Sequence, residues 1–329
     1  MNFKKMIMKN VGLKIILLLI VAVFITSCSI LKNNNKMEQR FLNIAVFGDG
    51  LNDMGKWGKL TNFKYPPADV GFYESRWTNG KVWVEHFADA LKLPISLENN
   101  YAMGGATTGL FNINEPLKPA LQLDEKTSLL GMLAQVQTYL ANNPKIDDKT
   151  LFVLWAGGHD IGNYLEYGQP DLTQYPPANN YKHAIELLVK SGAKNIFVGT
   201  MPDMGYSPGY FGTEKQTKAS ELCQNLNKGL EEIEKSYQNT AVKFYKFDGA
   251  GVFAKIGMNP AQYGIKYTEA YLPINIIDFT KPLEKSNVTI PNKDIGLNPD
   301  EFMNWWAVSA SAIVHKIIAD EAVKFLISK

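Results

Sequence analysis

The sequence contains little cysteine, little histidine and almost no excess of charge, and each shortage argues against a class of protein. Once Cys28 is assigned to a processed N-terminus, as below, Cys223 has no partner for an intrachain disulfide, and we expect it to be buried in a helix. No two of the four histidines stand at the spacing of a metal site, so we expect neither a metal nor another cofactor. The formal net charge of +2 gives no basic face of the kind that binds nucleic acid.

The N-terminal segment is first basic and then apolar, which is the pattern of a targeting signal. Four lysines and no acidic residue precede residues 15–26, an apolar run shorter than the ~20 residues of a membrane-spanning helix. The run ends in Ile25-Thr26-Ser27-Cys28, which resembles a bacterial lipobox. This resemblance implies cleavage before Cys28 and acylation of that cysteine. The alternative is an uncleaved signal anchor.

These features divide the chain into a signal peptide (residues 1–27), a polar tether (residues 28–40) and one globular domain (residues 41–329). Loss of the signal removes four lysines and changes the formal net charge from +2 to −2. The residue after the cysteine is Ser29 rather than aspartate, and the lipoprotein sorting rule then implies the outer membrane. We therefore expect a bacterial envelope protein that is attached to the membrane through acylated Cys28.

The domain alternates between short apolar runs and amphipathic segments. Runs with the character of buried strands occur at 44–47, 151–155, 195–198 and 241–247, and helical periods occur at 81–91, 129–140, 181–190, 216–237 and 307–327. Strands separated by helices predict a parallel sheet that is covered on both faces. In such folds the functional crevice lies at the carboxyl ends of the strands. Here the turns at 48–50, 156–160 and 201–205 occupy those ends.

The first of these turns, at residues 47–55, resembles the first motif of the GDSL, or SGNH, esterase and lipase family. The family pattern is Gly-Asp-Ser-Leu-Ser-Asp-x-Gly, and its serine is the nucleophile. This chain has Gly50 at that position, after Asp49. A glycine has no side chain with which to form an acyl-enzyme.

Three further segments resemble motifs of the same family, in the same order. Residues 100–106 resemble the second motif, in which Gly105 corresponds to a backbone oxyanion donor. In the third motif, His159 replaces the oxyanion asparagine and precedes Asp160. In the last motif, residues 298–311, Trp306 stands at the position of the catalytic aspartate and Ser309 at that of the catalytic histidine.

The resemblance covers roughly residues 42–323 and implies a three-layer α/β/α, flavodoxin-like fold with a mainly parallel sheet. It also implies that four of the five catalytic positions are lost and that Gly105 alone survives; backbone donors at Gly50 and Gly105 could remain. The crevice candidates are Asp49, Gly105, His159, Asp160 and Trp306. Trp306 either plugs the crevice or provides a stacking surface, and the sequence does not separate the two.

Three hypotheses follow for the function of the domain. The first is a pseudoenzyme that binds lipid, glycan or a protein partner. The second is an ester hydrolase with unorthodox residues, in which His159 activates a water molecule with Asp160 behind it. The third is a structural envelope lipoprotein whose crevice is closed by Trp306. An open crevice around Gly50, Gly105 and His159 would favour the first two.

Overall fold

The structure is a computed structural model that describes residues 40–273 and 290–329. The predicted signal peptide, Cys28 and the predicted tether up to residue 39 lie outside the described residues, as do residues 274–289. Among the described residues, no helix combines the length and the apolar character needed to cross a membrane.

The core of the domain is a sheet of four parallel strands in the order β1-β2-β3-β4. The strands are β1 (Asn43–Gly48), β2 (Thr150–Trp155), β3 (Asn195–Gly199) and β4 (Lys243–Phe247). Residues 99–103 run along the other edge of β1, where the Tyr101 N–H donates to the carbonyl of Val46 at 2.7 Å. Because chain segments lie on both sides of β1, its carboxyl end is a switch point of the kind at which α/β proteins place their sites.

Helices cover both faces of this sheet. One face packs against α2, α7 and α9, and the other against α3, α5 and α6. Successive strand residues alternate between the two cores, as shown by Val46 on the first and Phe47 on the second. The predicted three-layer α/β/α architecture is therefore confirmed. The helices in the described ranges are α1 (Lys56–Thr61), α2 (Trp83–Leu91), α3 (Met132–Asn142), α4 (Gly158–Tyr167), α5 (Pro177–Lys190), α6 (Gln216–Tyr237), α7 (Gly249–Met258), α8 (Pro291–Asp294) and α9 (Ala312–Ile327).

The prediction of a helix over residues 307–327 is wrong at its start. Residues 302–310 instead contain β6 (Phe302–Trp306) and β7 (Ser309–Ala310), which pair antiparallel, and β5 (Tyr267–Ala270) pairs parallel with β6. Contacts distant in sequence fix this arrangement, since the Thr78 hydroxyl donates to the carbonyl of Ala310 at 2.8 Å. α9 begins only at Ala312, whose N–H donates to Oδ1 of Asn79 at 2.8 Å.

The isolated cysteine lies where the sequence predicts it. Cys223 is buried on α6, and its sulfur accepts a hydrogen bond from the N–H of Met204 at 3.4 Å. Burial raises the pKa of the thiol to about 12, which keeps it protonated and unreactive at neutral pH.

Candidate functional site

The turn after β1 is fixed by side chains buried below it. Asn52 accepts from the indole N–H of Trp83 at 2.8 Å and donates to the carbonyl of Trp155 at 2.7 Å. Gln135 donates to the carbonyl of Gly48 at 3.0 Å and accepts from its N–H at 2.8 Å. The backbone that presents residues 49 and 50 at the edge of the sheet is thus anchored from several sides.

Asp53 joins this turn to the loop that contains Gly105. Its carboxylate accepts from the backbone N–H groups of Gly55, Lys56 and Gly104 at 2.9, 2.7 and 2.8 Å. Burial raises its pKa to about 6, although these hydrogen bonds oppose the shift. Asp53 therefore holds the first and second family motifs against each other.

Gly50 lies beneath the indole ring of Trp77. A Cβ atom added at Gly50 would lie 3.1 Å from Cδ1 of Trp77, and one added at Gly104 would lie 1.9 Å from its Nε1. Trp77 itself is only 9% exposed. The space above the position of the family nucleophile is therefore occupied by an aromatic side chain.

Trp306 covers Trp77 in turn. The two rings stack with centroids 6.2 Å apart and an interplanar angle of 18°. Trp306 also packs edge-on against Phe72, and its indole N–H donates to the carbonyl of Pro273 at 3.1 Å. The structure places Trp306 as a partly exposed cover over the crevice floor, whereas its neighbour Trp305 is a core residue, 3% exposed.

Ser309 lies opposite Trp306. The two residues pair across the antiparallel β6–β7 hairpin, with Ala307 and Val308 forming the turn between them. The fold therefore places side by side the two positions that the resemblance assigns to the aspartate and the histidine.

His159 occupies the hydrogen-bonding position beside Gly105. It is the second residue of α4, and its Nε2 accepts a hydrogen bond from the N–H of Gly105 at 3.1 Å. Burial lowers the pKa of the imidazole to about 4, so the ring is neutral at pH 7 and its proton lies on Nδ1. The backbone donor expected to serve an oxyanion is thus already used within the protein.

Asp160 binds Thr108, whereas a hydrolase site centred on His159 would need this carboxylate to orient the imidazole ring. Its two carboxylate oxygens accept from the N–H and the hydroxyl of Thr108 at 2.8 and 2.7 Å. Burial raises its pKa to about 6. The carboxylate therefore anchors the loop at Thr108 to the start of α4.

Asp49 is the third buried acid at this edge of the sheet. One of its oxygens accepts from the N–H of Leu51 at 3.1 Å. Burial, together with the negative charges of Asp160 and Asp53, raises its pKa to about 7. This shift favours the protonated, neutral form of the carboxyl group.

The other three histidines lie on helices. His315 is buried on α9, where its Nδ1 accepts from the N–H of Trp83 at 3.0 Å, and burial lowers its pKa to about 3. His86 is partly buried on α2, and His183 is exposed on α5. In the described ranges, no group of three histidine, cysteine, aspartate or glutamate side chains could hold a metal ion.

Sequence reasoning did not single out Trp77. The ring packs between Tyr65 and Phe72 as well as against Trp306. The sequence signal that could have identified it is the high density of aromatic residues in and near the segments that resemble the family. A cavity of about 500 Å³ beside Gly71 and Trp305 has none of the candidate site residues in its lining.

Comparison with known proteins gives a family match and distant relatives. The family profile described as GDSL-like Lipase/Acylhydrolase matches residues 44–322. The chain is 28% identical over 234 residues to a phosphatidylcholine-sterol acyltransferase of Aeromonas hydrophila, a match that covers 70% of this chain and 64% of that protein. It is 23% identical over 305 residues to a thermolabile hemolysin of Vibrio parahaemolyticus, covering 90% of this chain and 66% of the relative. The chain thus spans slightly less than two thirds of the length of either relative.

Among solved structures, a member of the lipolytic G-D-S-L family from Veillonella parvula is similar. It superposes with a TM-score of 0.41 at 14% identity, and the match covers 86% of this chain and 97% of that one.

Proposed function

Because the chain belongs to the GDSL-like lipase/acylhydrolase family, and because Gly50 and Ser309 stand at the family positions of the nucleophile and the base, we propose that it is a member that does not hydrolyse esters. Acyl transfer needs a nucleophile, a base that takes its proton and donors for the oxyanion. At the positions of the nucleophile and the base, this chain has Gly50 and Ser309, and neither residue could fill that role near pH 7.

The observation that carries this proposal is the hydrogen bond from Gly105 to His159. In the family, the glycine N–H and an asparagine side chain point together at the oxyanion. Here the glycine N–H points instead at the ring that replaces the asparagine, at 3.1 Å. A substrate oxygen would have to break this hydrogen bond before it could be stabilised.

The same contact argues against a hydrolase centred on His159. A general base works best when its pKa is near the working pH, whereas the pKa of His159 is lowered to about 4. Its Nε2 lone pair is engaged by Gly105, and both oxygens of Asp160 are engaged by Thr108. His159 is therefore a weak base without a carboxylate partner to orient it.

In this proposal the protein acts in the cell envelope as a binding or interaction module, held at the membrane by acylated Cys28. The crevice floor at Gly50 is covered by Trp77 and Trp306. This cover agrees with the hypothesis of a lipoprotein whose crevice is closed by Trp306, and we therefore assign any binding to the outer surface of the domain rather than to an open substrate pocket. The partner is a lipid, a glycan or a protein.

The test is an activity assay on purified protein that lacks residues 1–27. We expect no turnover of p-nitrophenyl acetate or p-nitrophenyl palmitate above the background, and no covalent labelling by a fluorophosphonate probe. An active serine esterase run in parallel verifies the reagents, and circular dichroism verifies that the protein is folded. Turnover that disappears in a His159→Ala variant would show that the chain is an unorthodox hydrolase and would contradict the proposal.

A further inference from the structure

Two uncharged segments of the chain meet at the surface, at the carboxyl edge of the large sheet. Residues 204–213, which follow β3, and residues 302–314, which contain the β6–β7 hairpin, include no charged residue and no histidine. The N–H of Gly209 donates to the carbonyl of Ala307 at 2.9 Å, and a Cβ added at Gly209 would lie 3.4 Å from Cγ1 of Val308. The loop after β3 therefore packs directly against the turn of the hairpin.

Three large apolar side chains on these segments are exposed to solvent. Tyr206 is 70% exposed, Phe211 61% and Val308 48%. The rings of Tyr206 and Phe211 stack at a centroid distance of 6.1 Å and an interplanar angle of 29°. Scattered exposed apolar residues are ordinary, whereas a cluster of them without charged neighbours marks an interaction site. We call Tyr206, Phe211 and Val308 the rim patch.

The loop that carries the two rings is held in place from below. Asp203 accepts from the N–H of Gly205 at 2.9 Å and from the hydroxyl of Ser220 at 2.6 Å. Tyr210, within the loop, is buried, and its hydroxyl oxygen lies 3.3 Å from a Cβ added at Gly162 on α4. The exposed rings are therefore presented on a fixed backbone, and binding loses little free energy to ordering of the loop.

The start of the domain determines which way the rim patch faces. The described chain begins at Arg40, three residues before β1 and hence at the amino edge of the sheet. Residues 28–39 can span at most about 43 Å when fully extended, whereas a domain of this length is about 50 Å across. If acylated Cys28 lies in a bilayer, the rim patch at the opposite edge therefore faces away from that bilayer.

We propose that the rim patch binds a glycan of N-acetylated sugars, whose rings stack on Tyr206 and Phe211. A sugar ring has a face of C–H groups that packs on an aromatic ring, and hydroxyl groups at its edge. Val308 offers an aliphatic contact for the acetyl methyl group. The Tyr206 hydroxyl makes no hydrogen bond within the described ranges, so it is available to a sugar hydroxyl. This inference rests on the proposed function, including the attachment through Cys28, and selects the glycan among its partners.

The size of the rim patch favours a glycan over a protein partner. A stable protein interface covers about 800 Å² of each partner. An aromatic side chain buries about 150–250 Å², so two rings and a valine supply no more than about half of the area needed. A polysaccharide repeats one unit along its length, and many copies of the protein on one membrane can bind the same polymer together. Weak individual sites are then sufficient for retention.

Sedimentation with insoluble polysaccharides tests the proposal. The chain from residue 28 to residue 329 is mixed with purified peptidoglycan sacculi and, separately, with chitin, which has N-acetylated sugars but no peptides. We expect the protein to sediment with both. Absence of binding to chitin would overturn the proposal, and binding to sacculi alone would show that the peptides are recognised instead of the sugar rings.

Substitutions in the rim patch test its role in this binding. The double variant Tyr206→Ala, Phe211→Ala should bind both polymers at least tenfold more weakly, with an unchanged circular dichroism spectrum because both side chains are exposed. Phe63→Ala, 60% exposed after α1, is the matched control and should bind like the wild type. Equal binding by the double variant and the wild type would overturn the proposal.

Vesicles of phosphatidylethanolamine and phosphatidylglycerol test a lipid surface as the alternative partner. We expect no sedimentation of the protein with these vesicles. Vesicle binding that the double variant loses would overturn the glycan proposal in favour of a membrane. Turnover of p-nitrophenyl acetate by the wild-type protein, measured alongside, would instead contradict the proposed loss of hydrolysis, which the polysaccharide experiments do not test.

Discussion

Burial shifts the pKa values of two side chains at the crevice floor, Asp49 and His159, in opposite directions. It raises the pKa of Asp49 to about 7 and lowers that of His159 to about 4. Both shifts favour the neutral form, as expected for groups withdrawn from water. The crevice floor is therefore a site in which charge is disfavoured, and each group makes the stability of the domain depend on pH with its own sign.

Asp49→Asn should stabilise the domain increasingly as the pH rises from about 4 to 7. Over this range the native Asp49 holds a proton that the unfolded chain, in which the carboxyl group has its ordinary pKa of 3.8, has already released. The wild-type protein therefore loses stability with rising pH, by up to about 4 kcal/mol. Asparagine removes this loss and keeps an acceptor for the N–H of Leu51. Urea unfolding at pH 5 and pH 8 measures the difference. Parallel pH profiles for the two proteins would contradict it, and Asp69→Asn, on the surface, is the control.

His159→Leu should destabilise the domain by about 1–3 kcal/mol at pH 7, because the N–H of Gly105 loses its acceptor. The loss should shrink at pH 5. Below the ordinary histidine pKa of 6.5 the unfolded chain takes up a proton that the native ring, with a pKa of about 4, does not, so the wild-type protein loses stability as the pH falls. Chemical unfolding at both pH values measures this effect. The exposed His183→Leu is the matched control, and an equal loss at both pH values would show that His159 is not buried as a neutral ring.

At the scale of elements, the β6–β7 hairpin and α9 are built by partners that are distant in sequence. The side-chain oxygen of Asn79 accepts a hydrogen bond from the N–H of Ala312, which lies 233 positions later in the sequence. The hydroxyl of Thr78 donates to the carbonyl of Ala310. The Ser311 hydroxyl closes the hairpin base by donating to the carbonyl of Phe302 at 2.6 Å. The apolar pattern after residue 306 suits a helix, and only these contacts turn its first residues into a strand. For this reason the sequence predicted the body of α9 but not its start.

Asn79→Ala should lower the free energy of unfolding by about 1 kcal/mol, because it removes the side-chain cap from the first turn of α9. Equilibrium urea unfolding followed by tryptophan fluorescence measures the change. Asn142→Ala, exposed at the end of α3, should have little effect. If the two variants unfold at the same urea concentration as the wild type, Asn79 does not act as a cap.

At the scale of the whole molecule, the parallel sheet brings separate motifs to one edge. Gly50 follows β1, Gly105 lies on the loop after the segment beside β1, and His159 follows β2. Trp306 reaches the same place from the small second sheet. The order of strands made this convergence predictable, since parallel strands present their carboxyl ends together.

Cys28→Ala should release the protein from the membrane fraction of a bacterial host that processes lipoproteins. The proposed attachment depends on acylation of that cysteine, because the lipid chains and not a spanning helix hold the protein. Fractionation with immunoblotting, together with labelling by a palmitate analogue, measures this outcome. Cys223→Ala should remain in the membrane fraction and keep its label. Retention of Cys28→Ala in that fraction would favour an uncleaved signal anchor.

The sequence by itself determined the alternation of strands and helices and the identities of the residues at the catalytic positions, because both are local properties of the chain. Only the tertiary structure decided that the Gly105 N–H is taken by His159, that Trp77 lies over Gly50 and that Trp306 covers Trp77. Each of these contacts joins residues that are not neighbours in the sequence. Neither the hydrophobic period nor the turn residues of a sequence predict which side chain packs at such a position. The glycine at the position that the resemblance assigns to the nucleophile could therefore be identified from the sequence alone, whereas the cover over that position required the packing of the folded chain.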